Sequence, residues 1–305
     1  MKVLVIGLGS IASKHIKALA ALFPAAEFYA LRSSKNAENK ENITNIYAYG
    51  EIDFKPDFVI VSNPTSEHHD TLKKVAQLDC PVFIEKPSLA SLEKSSEITQ
   101  IFREKNTLTY VGFSLRFLSC LKFVKENLEK TARINEVNVY CGSYLPEWRP
   151  EVDFRNNYSA HASLGGGAHL DLIHELDYVC WFFGKPEKSE RHLRSKSSLE
   201  IDSVDYANYY LEYKRFQVNI VLNYFRRDAK RTCEIVMEED TWSIDLLKNT
   251  VTSYKNGILF SSDEKTDTYL EQMRYFTGCI QDHKQPMNTF EDSLEVLKIC
   301  LDEYA

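Results

Sequence analysis

The chain has 305 residues, of which 44% are hydrophobic and 27% are charged, and its formal net charge is -7. This length predicts two domains or one large one, with enough apolar material for a core. The negative charge argues against a nucleic-acid binder that works through phosphate contacts. We find no apolar run long enough to cross a bilayer and no signal peptide after Met1. We therefore expect a cytoplasmic protein that binds neither nucleic acid nor membrane.

The seven cysteines are widely spaced, and none forms a C-x-x-C pair. This pattern favours reduced, mostly buried thiols over a disulfide framework or a zinc site. We expect no metal.

Strands and helices alternate over about the first 115 residues. The predicted strands are rich in Val and Ile and apolar on both faces, namely Lys2–Gly7, Glu27–Arg32, Asp57–Ser62, Val82–Lys86 and Thr107–Ser114. Helical patterns lie between them at Ile11–Phe23, Glu67–Leu78 and Leu89–Lys105. This alternation indicates right-handed βαβ units and a doubly wound parallel sheet with both faces covered.

The pattern changes near Leu115. Long aromatic strands with short connections predict a mostly antiparallel sheet from Ala132–Tyr144, Val204–Tyr213, Phe216–Arg226, Thr232–Met237, Trp242–Leu247 and Val251–Tyr254. Helices are predicted at Gly166–Phe183, near Thr268–Asp282 and near Phe290–Glu303. The fold class is therefore α/β, with residues 1–115 as one domain and residues 116–305 as a second α/β domain for substrate binding and oligomerisation.

A glycine-rich turn joins the first predicted strand to the first helix. Residues 7–12, GLGSIA, match the pattern G-x-G-x-x-[GA] in the strand-to-helix context that the pattern requires. The first glycine permits a tight turn, the second lets backbone approach a pyrophosphate, and the helix N-terminus offers free N–H groups. The alternative is a glycine turn without a ligand. We predict a Rossmann domain with cofactor contacts from Gly7, Gly9, Ser10, Ile11 and Ala12.

The end of the second predicted strand bears on the choice of dinucleotide. An NAD site usually places a carboxylate here for the ribose 2′-hydroxyl, but this chain has Arg32, Ser33 and Ser34. A guanidinium and two hydroxyls suit a 2′-phosphate. We therefore predict that NADP(H) is preferred, with NAD(H) as the alternative; a solvated basic turn would explain the same residues without a ligand.

Lys86 follows a buried strand and precedes Pro87, which ends that strand. Ligands of open α/β sheets bind at this carboxyl edge. A lysine there can hydrogen-bond a substrate oxygen and pass a proton. A surface lysine at a strand end is the alternative.

A second group of chemical residues follows three glycines, Gly165 to Gly167. Asp171 and His174 are three residues apart, so on one continuous helix they share a face. A histidine held by a carboxylate is a suitable general acid or base near neutral pH. A buried structural pair is the alternative.

Together these motifs resemble the Gfo/Idh/MocA oxidoreductase family over nearly the whole chain. The resemblance includes His15 after the glycine turn, residues 63–68 (NPTSEH), residues 85–87 (EKP), residues 112–117 (GFSLRF) and the glycine–Asp–His helix. It implies a Rossmann domain joined to a domain with a mostly antiparallel sheet, and hydride transfer between a nicotinamide and a sugar-like carbon. It also implies cofactor contacts from Asn63, Pro64, His68, Glu85 and Lys86, and places Lys86, Asp171 and His174 at the reacting centre.

The chain departs from the family pattern at one point, because many members separate the Asp and the His by four residues rather than three. The assignment of His174 is therefore firmer than that of Asp171. His169, on a neighbouring turn, is a further candidate for substrate binding.

Relatives with a Trp-Arg-Pro and a Tyr-Ser-Ala before the glycines are similar to this chain at residues 148–150 and 158–160. The resemblance associates them with nucleotide-sugar and surface-glycan biosynthesis. Arg149 and Arg155 suit a phosphate or carboxylate, and the aromatic residues suit a sugar face. A packed surface loop is the alternative. The predicted substrate-binding residues are Arg116, Arg149, Arg155, Tyr158 and His169.

The sequence thus predicts an NAD(P)-dependent dehydrogenase or reductase that acts on CH–OH groups of a sugar, nucleotide sugar or cyclitol. Lys86 and His174 transfer protons in this hypothesis, and Asp171 orients the histidine. Two alternatives stay open: a non-catalytic dinucleotide sensor, and a redox-neutral epimerase, lyase or hydrolase of the same fold. We also expect a homo-oligomer, either a dimer or a tetramer.

Overall fold

The computed structural model describes residues 1–35, 39–128, 132–262, 264 and 266–301. Its first sheet is parallel and has the strand order β3-β2-β1-β4-β5-β6. The strands are β1 (Lys2–Ile6), β2 (Glu27–Leu31), β3 (Ile43–Ile46), β4 (Phe58–Val61), β5 (Val82–Ile84) and β6 (Thr109–Val111). All residues of β4 and β5 are buried, as expected for a sheet covered on both faces. This order is that of dinucleotide-binding doubly wound sheets.

The helices are numbered α1 to α8 in chain order. Their bounds are α1 (Ser10–Leu22), α2 (His68–Val75), α3 (Ser95–Glu104), α4 (Ser119–Asn127), α5 (Ala168–Asp171), α6 (His174–Phe183), α7 (Thr268–Asp282) and α8 (Phe290–Leu301). Asp267 caps α7 by accepting from the backbone N–H groups of Tyr269 and Leu270. Among the described residues, none of the helices has the length and apolar character needed to span a membrane.

The second sheet is antiparallel except for one parallel pair, β7 with β10. Its strand order is β14-β13-β12-β11-β7-β10-β9-β8. The strands are β7 (Ile134–Tyr144), β8 (Lys188–Arg194), β9 (Tyr206–Tyr213), β10 (Phe216–Asn223), β11 (Phe225–Met237), β12 (Thr241–Asp245), β13 (Thr250–Ser253) and β14 (Gly257–Ser261). The predicted fold class is confirmed, with a parallel sheet and a second, mostly antiparallel one.

The chain forms two compact units. The first holds Met1–Ser114 and Asp267–Leu294, and the second begins at Leu115 and takes in the end of α8. The sequence interpretation assigned α7 to the second domain, but this helix packs on α1 in the first unit. The Phe276 ring explains the difference, since it meets Phe58 at 5.4 Å and Phe83 at 5.6 Å between centroids. A helix distant in sequence thus covers the parallel sheet, and local periodicity does not reveal such a contact.

Several elements differ from the sequence prediction. The pattern over Gly166–Phe183 is two helices, because Leu172 at φ -99° and ψ 24° ends α5 before α6 begins at His174. Strands β3, β8 and β14 and helix α4 were not predicted. The predicted helix over Phe290–Glu303 is observed to Leu301, and its last two positions lie outside the described residues. All seven cysteines are free thiols, and six of them are buried.

Candidate functional site

The glycine turn in the first unit has the geometry that its sequence predicts. Gly7 has a φ of +82°, and a Cβ at this position would lie 2.8 Å from the backbone of Asn63. A Cβ on Gly9 would meet no atom of the described residues within 4 Å, and Gly9 precedes α1 without a capping side chain. The turn therefore leaves open space at the N-terminus of a 13-residue helix, whose first N–H groups lack intrahelical acceptors. The backbone N–H groups of Ser10, Ile11 and Ala12 fit a bound pyrophosphate.

The predicted 2′-phosphate residues follow β2 in the same unit. The backbone N–H of Arg32 donates to Ile46 O at 2.9 Å, and its guanidinium donates to Asn45 Oδ1 at 3.3 Å. Ser33 and Ser34 lie beside it on the turn. Lys40 was not predicted, and its Nζ donates to Ser13 Oγ at 2.5 Å in the first turn of α1. Lys40 therefore places a cation at the first turn of α1.

The loop after β4 carries Asn63, Pro64 and His68. The Asn63 amide donates to Glu67 at 3.0 Å and to Thr71 at 2.9 Å, while no protein partner for its shielded Oδ1 is found among the described residues. His68 is buried, with ring nitrogens 3.1 Å from the carbonyl oxygens of Ser88 and Asn63. Burial lowers the pKa of His68. His68 thus ties two loops together within the protein, and its predicted cofactor contact stays a prediction.

Lys86 lies at the carboxyl edge of the parallel sheet, directly after β5 and Glu85. It is partly exposed between two buried neighbours, Glu85 and Pro87. Glu85 is 8% exposed, and its carboxylate contacts His15 and accepts the backbone N–H of Lys86 at 3.2 Å. Both carboxylate oxygens of Glu85 therefore have protein partners, which gives this residue a role besides the predicted cofactor contact.

In the second unit, Asp171 accepts hydrogen bonds from three hydroxyl groups. Tyr158 Oη donates to Oδ1 at 2.8 Å, while Ser159 Oγ and Tyr224 Oη donate to Oδ2 at 2.7 and 2.5 Å. Burial, followed by the charge of Asp171, raises the pKa of both tyrosines above the ordinary value. The tyrosines are therefore protonated donors to a carboxylate. Because α5 ends at Asp171 and α6 begins at His174, the predicted shared face of one continuous helix does not exist here.

The glycines before α5 make room for the segment that carries Tyr158. A Cβ on Gly166 would lie 2.1 Å from the carbonyl oxygen of Tyr158, so only glycine fits there. Ser203 Oγ donates to Ser159 O at 2.7 Å from the other side. The Tyr158–Ser159 segment is thus held by backbone packing and by Asp171 together.

His169 lies two residues before Asp171, in the same short helix α5. Gly167 has a φ of +131°, and a Cβ there would lie 2.8 Å from the His169 ring. Burial, and after it Arg191, lowers the pKa of His169 to about 4. The ring is therefore neutral near pH 7, and its predicted contact with substrate stays a prediction.

Helix α6 places His174 at its first position and two carboxylates just behind it. Glu175 and Asp177 are both fully buried. Arg231 donates to Glu175 at 2.6 and 3.0 Å, and Arg116 donates to Asp177 at 2.7 and 3.0 Å. These two-bond pairs join α6 to other elements of the unit. Arg116 is only 7% exposed, so its guanidinium has a structural role, and substrate contact by it stays a prediction.

The predicted substrate loop is open to solvent at several aromatic and basic residues. Trp148 is 37% exposed, and its ring meets Tyr224 edge-on at 5.2 Å. Arg155 lies over the Phe154 ring at 4.6 Å, and Arg149 is exposed. Among the described residues, no group of three or more His, Cys, Asp or Glu side chains could hold a metal ion.

Sequence reasoning missed Tyr224 and Ser159, which complete the environment of Asp171. Tyr224 follows β10 and reads as one more apolar strand residue, so its pattern contains no signal of a hydroxyl contact. Ser159 lies within the Tyr-Ser-Ala of residues 158–160. Its hydroxyl beside Tyr158 is the feature of the sequence that could have indicated a polar contact.

Comparison with known proteins agrees with this geometry. Residues 1–113 match the model described as "Oxidoreductase family, NAD-binding Rossmann fold", and residues 130–243 match the model described as "GFO/IDH/MocA C-terminal domain". The chain is 24% identical to scyllo-inositol 2-dehydrogenase (NAD(+)) of Bacillus subtilis, over 97% of this chain and 90% of that protein.

Two solved structures share the fold. UDP-N-acetylglucosamine 3-dehydrogenase GnnA of Acidithiobacillus ferrooxidans has a TM-score of 0.80 at 18% identity, covering 99% of this chain and 96% of that one. The WlbA dehydrogenase of Bordetella pertussis, in complex with NADH and UDP-GlcNAcA, has a TM-score of 0.82 at 18% identity, covering 100% and 96%.

These matches confirm the predicted enzyme class, because the family is an oxidoreductase family and relatives are named as dehydrogenases. The two family models cover most of the chain, one for each predicted domain type. The chain belongs to the Gfo/Idh/MocA oxidoreductase family, with an NAD-binding Rossmann fold.

Proposed function

We propose that this protein is a nicotinamide-dependent dehydrogenase that interconverts the CH–OH and keto forms of one carbon in a sugar, nucleotide sugar or cyclitol. The observation that carries the proposal is the glycine turn, which opens onto an uncapped helix N-terminus at the edge of the sheet where Lys86 lies. Related proteins are named as dehydrogenases of inositols and of UDP-N-acetylglucosamine, which supports this substrate range.

The cofactor would be held mainly by backbone. The N–H groups of Ser10, Ile11 and Ala12 suit the pyrophosphate, and Gly9 leaves the space that it needs. The shielded Oδ1 of Asn63 suits a hydrogen-bond donor of the cofactor. Arg32, with Ser33 and Ser34, suits a 2′-phosphate, and we therefore propose a preference for NADP(H) over NAD(H).

When bound, the nicotinamide supplies hydride transfer to or from the reacting carbon. His174 removes the hydroxyl proton in the oxidative direction and returns it in the other. Lys86 donates a hydrogen bond to an oxygen of the substrate and stabilises the negative charge that develops on it. Lys86 and His174 are each partly exposed, and the residues directly before and after each of them are buried.

For Asp171 we propose a role other than orienting the histidine. Its carboxylate holds Tyr158, Ser159 and Tyr224, and so fixes the loop that carries Trp148 and Arg155. This loop presents basic and aromatic groups to solvent. Such groups suit a sugar face next to a phosphate or carboxylate.

The first experiment titrates the purified, cofactor-stripped protein with NADPH and NADH, following nicotinamide fluorescence. We expect tight NADPH binding and much weaker NADH binding. Arg32→Ala should weaken NADPH binding by about 1.5–3 kcal/mol, the range for a hydrogen bond to a charged group, and leave NADH binding unchanged. Equal loss for both cofactors would contradict the assignment of Arg32 to the 2′-phosphate.

The second experiment screens sugars, cyclitols and nucleotide sugars for cofactor reduction or oxidation. Substrate-dependent change in NADPH or NADH absorbance supports the proposal. Product formation with no net change in the cofactor indicates the redox-neutral alternative. Absence of binding of either dinucleotide overturns the proposal and favours a protein without turnover.

We further propose that the protein is a homo-oligomer, a dimer or a tetramer, that works in the cytoplasm. The second sheet supports the oligomer, because it carries large side chains with considerable exposure, such as Tyr210 at 39%. Light scattering on the purified protein measures the molar mass, and a value of one chain overturns the oligomer.

A further inference from the structure

A fully buried histidine lies behind the loop of Lys86. His15 is on α1 and is 0% exposed, and its Nε2 forms a hydrogen bond with Glu85 Oε1. The other carboxylate oxygen, Oε2, accepts the backbone N–H of Lys86 at 3.2 Å. One carboxylate therefore connects α1 to the backbone of the candidate catalytic lysine.

The surroundings of His15 indicate which ring nitrogen donates the hydrogen bond. Its Nδ1 is shielded from solvent and has no hydrogen-bond partner among the described residues. The ring packs edge-on against Phe83 at 4.8 Å and Tyr269 at 5.5 Å. A proton on Nδ1 would be a buried donor without an acceptor, which is unfavourable. The favoured arrangement thus has the ring hydrogen on Nε2, from which it donates to the Glu85 carboxylate.

The packing around Glu85 leaves its carboxylate little freedom. A Cβ on Gly112 would lie 2.9 Å from the Phe83 ring, so glycine leaves room for that ring, and it would lie in ordinary contact, at 3.4 Å, with Glu85 Oε1. The ring of His15 closes the side towards α1. The position of this charge is therefore set by buried groups rather than by solvent.

The loop is also held on the C-terminal side of Lys86. His68 lies 3.1 Å from the carbonyl oxygen of Ser88, and Ser293 donates to Ser88 Oγ at 2.8 Å. Both contacts lie within the first unit. Residues 85–88 are thus fixed on both sides of Lys86.

We propose that His15 is a positioning residue for Lys86. By holding the Glu85 carboxylate, it fixes the backbone from which the lysine projects and keeps that carboxylate against the Lys86 backbone N–H. This inference rests on the proposed function in one respect, namely that Lys86 acts on the substrate oxygen. The positioning itself is a property of the unliganded protein and is measured without substrate.

The test compares His15→Leu with His15→Gln, whose side-chain amide can donate in place of Nε2. The matched control is His69→Leu, because His69 also contacts carboxylates, Asp70 and Glu97, but on α2 and α3. Lysines are labelled by reductive ¹³C-methylation, and Lys86→Arg identifies the Lys86 NMR signal. The shift and titration of that signal are recorded for each folded variant, together with the thermal midpoint and the NADPH dissociation constant.

We expect His15→Leu to move the Lys86 signal and its titration midpoint, His15→Gln to restore most of the wild-type behaviour, and His69→Leu to change neither. With an active substrate in hand, kcat of His15→Leu should fall about tenfold or more while KM stays within about threefold, as for a group that acts in the transition state.

An unmoved Lys86 signal in folded His15→Leu would overturn the proposal, even if the thermal midpoint falls, because His15 would then only stabilise the fold. If His15→Leu does not fold, Glu85→Gln decides the question by removing the charge at constant shape. An unchanged Lys86 titration in that variant overturns the proposal as well. Failure of the wild type to bind either dinucleotide would overturn the proposed function and leave the Lys86 comparison intact.

Discussion

Asp171 is an example of a residue whose environment changes the role that its sequence suggests. Its spacing from His174 indicates a catalytic pair, but three hydroxyl groups converge on its carboxylate from Tyr158, Ser159 and Tyr224. A buried carboxylate is stable only when donors satisfy it. Here those donors are side chains of two other segments, so the same contacts that satisfy the charge also fix the loop before α5.

Substitutions at this cluster should have graded effects on stability. Asp171→Ala leaves the hydroxyls of Ser159 and Tyr224 buried without their acceptor and should lower the free energy of unfolding by about 3 kcal/mol. Tyr158→Phe removes one donor and should cost about 1 kcal/mol. Urea unfolding of both variants measures the difference. Equal stability of Asp171→Ala and wild type would show that these contacts do not contribute to the fold.

Lys86→Ala should separate chemistry from cofactor binding. Loss of a group that polarises the substrate oxygen should reduce turnover by about 100-fold or more. The NADPH dissociation constant should stay within about threefold, because the pyrophosphate is held at the glycine turn. The control is Lys17→Ala, an exposed lysine on α1, which should behave as wild type. Wild-type turnover in Lys86→Ala would refute the assigned role.

At the level of elements, the break between α5 and α6 determines where the candidate residues lie. Asp171 ends one helix, and His174 begins the next. The two-bond ion pairs of Glu175 and Asp177 anchor the second helix from within the unit. The helical periodicity of the segment is continuous, so only the backbone dihedral angles at Leu172 reveal the break.

The glycines of this segment provide a test of the packing. Gly166→Ala would bring a Cβ within 2.1 Å of the Tyr158 carbonyl oxygen and should destabilise the protein by about 3 kcal/mol or more. Gly278→Ala is the matched control, because Gly278 is inside α7 and a Cβ there meets none of the described atoms within 4 Å. That variant should be about 0.5–1 kcal/mol more stable than wild type. Urea unfolding distinguishes the two, and a neutral Gly166→Ala would contradict the close approach.

At the scale of the whole molecule, the lowered pKa of His169 links stability to pH. The pKa of His169 is about 4 in the folded protein against an ordinary value of 6.5, so the unfolded chain binds more protons between these values. The stabilisation is complete above pH 6.5 and is lost as the pH falls towards 4. Between pH 7 and pH 5 this group should account for about 2 kcal/mol.

His169→Gln isolates that contribution, because glutamine does not titrate. Urea unfolding of the wild type and the variant at pH 7 and pH 5 measures the free energy of unfolding in each case. We expect the variant to lose less stability on acidification than the wild type, while His68 contributes with the same sign in both proteins. Identical losses would exclude His169 as a source of acid sensitivity.

Four thiols from different parts of the molecule share a raised pKa. Burial raises the pKa of Cys80, Cys120, Cys180 and Cys300 to about 12. They are therefore protonated and weakly nucleophilic near pH 7. This agrees with the predicted role of the cysteines as small apolar residues of the core.

The sequence by itself determined the features that depend on neighbours in the chain. The glycines of residues 7–12, the apolar strands β1 and β4, and helix α7 follow from local backbone freedom and periodicity, and their predicted bounds agree with the structure to within about one residue. The family resemblance came from short motifs in chain order, which is also local information.

Only the tertiary structure decided which groups face one another. The pairing of His15 with Glu85, the three donors to Asp171, the ion pair of Arg116 and the packing of α7 on α1 all join residues far apart in sequence. Their side chains meet because the chain folds back on itself, and a single sequence does not show which distant residues come into contact. The chemistry of each residue can thus be read from the sequence, whereas its partner, and hence its role, depends on the folded structure.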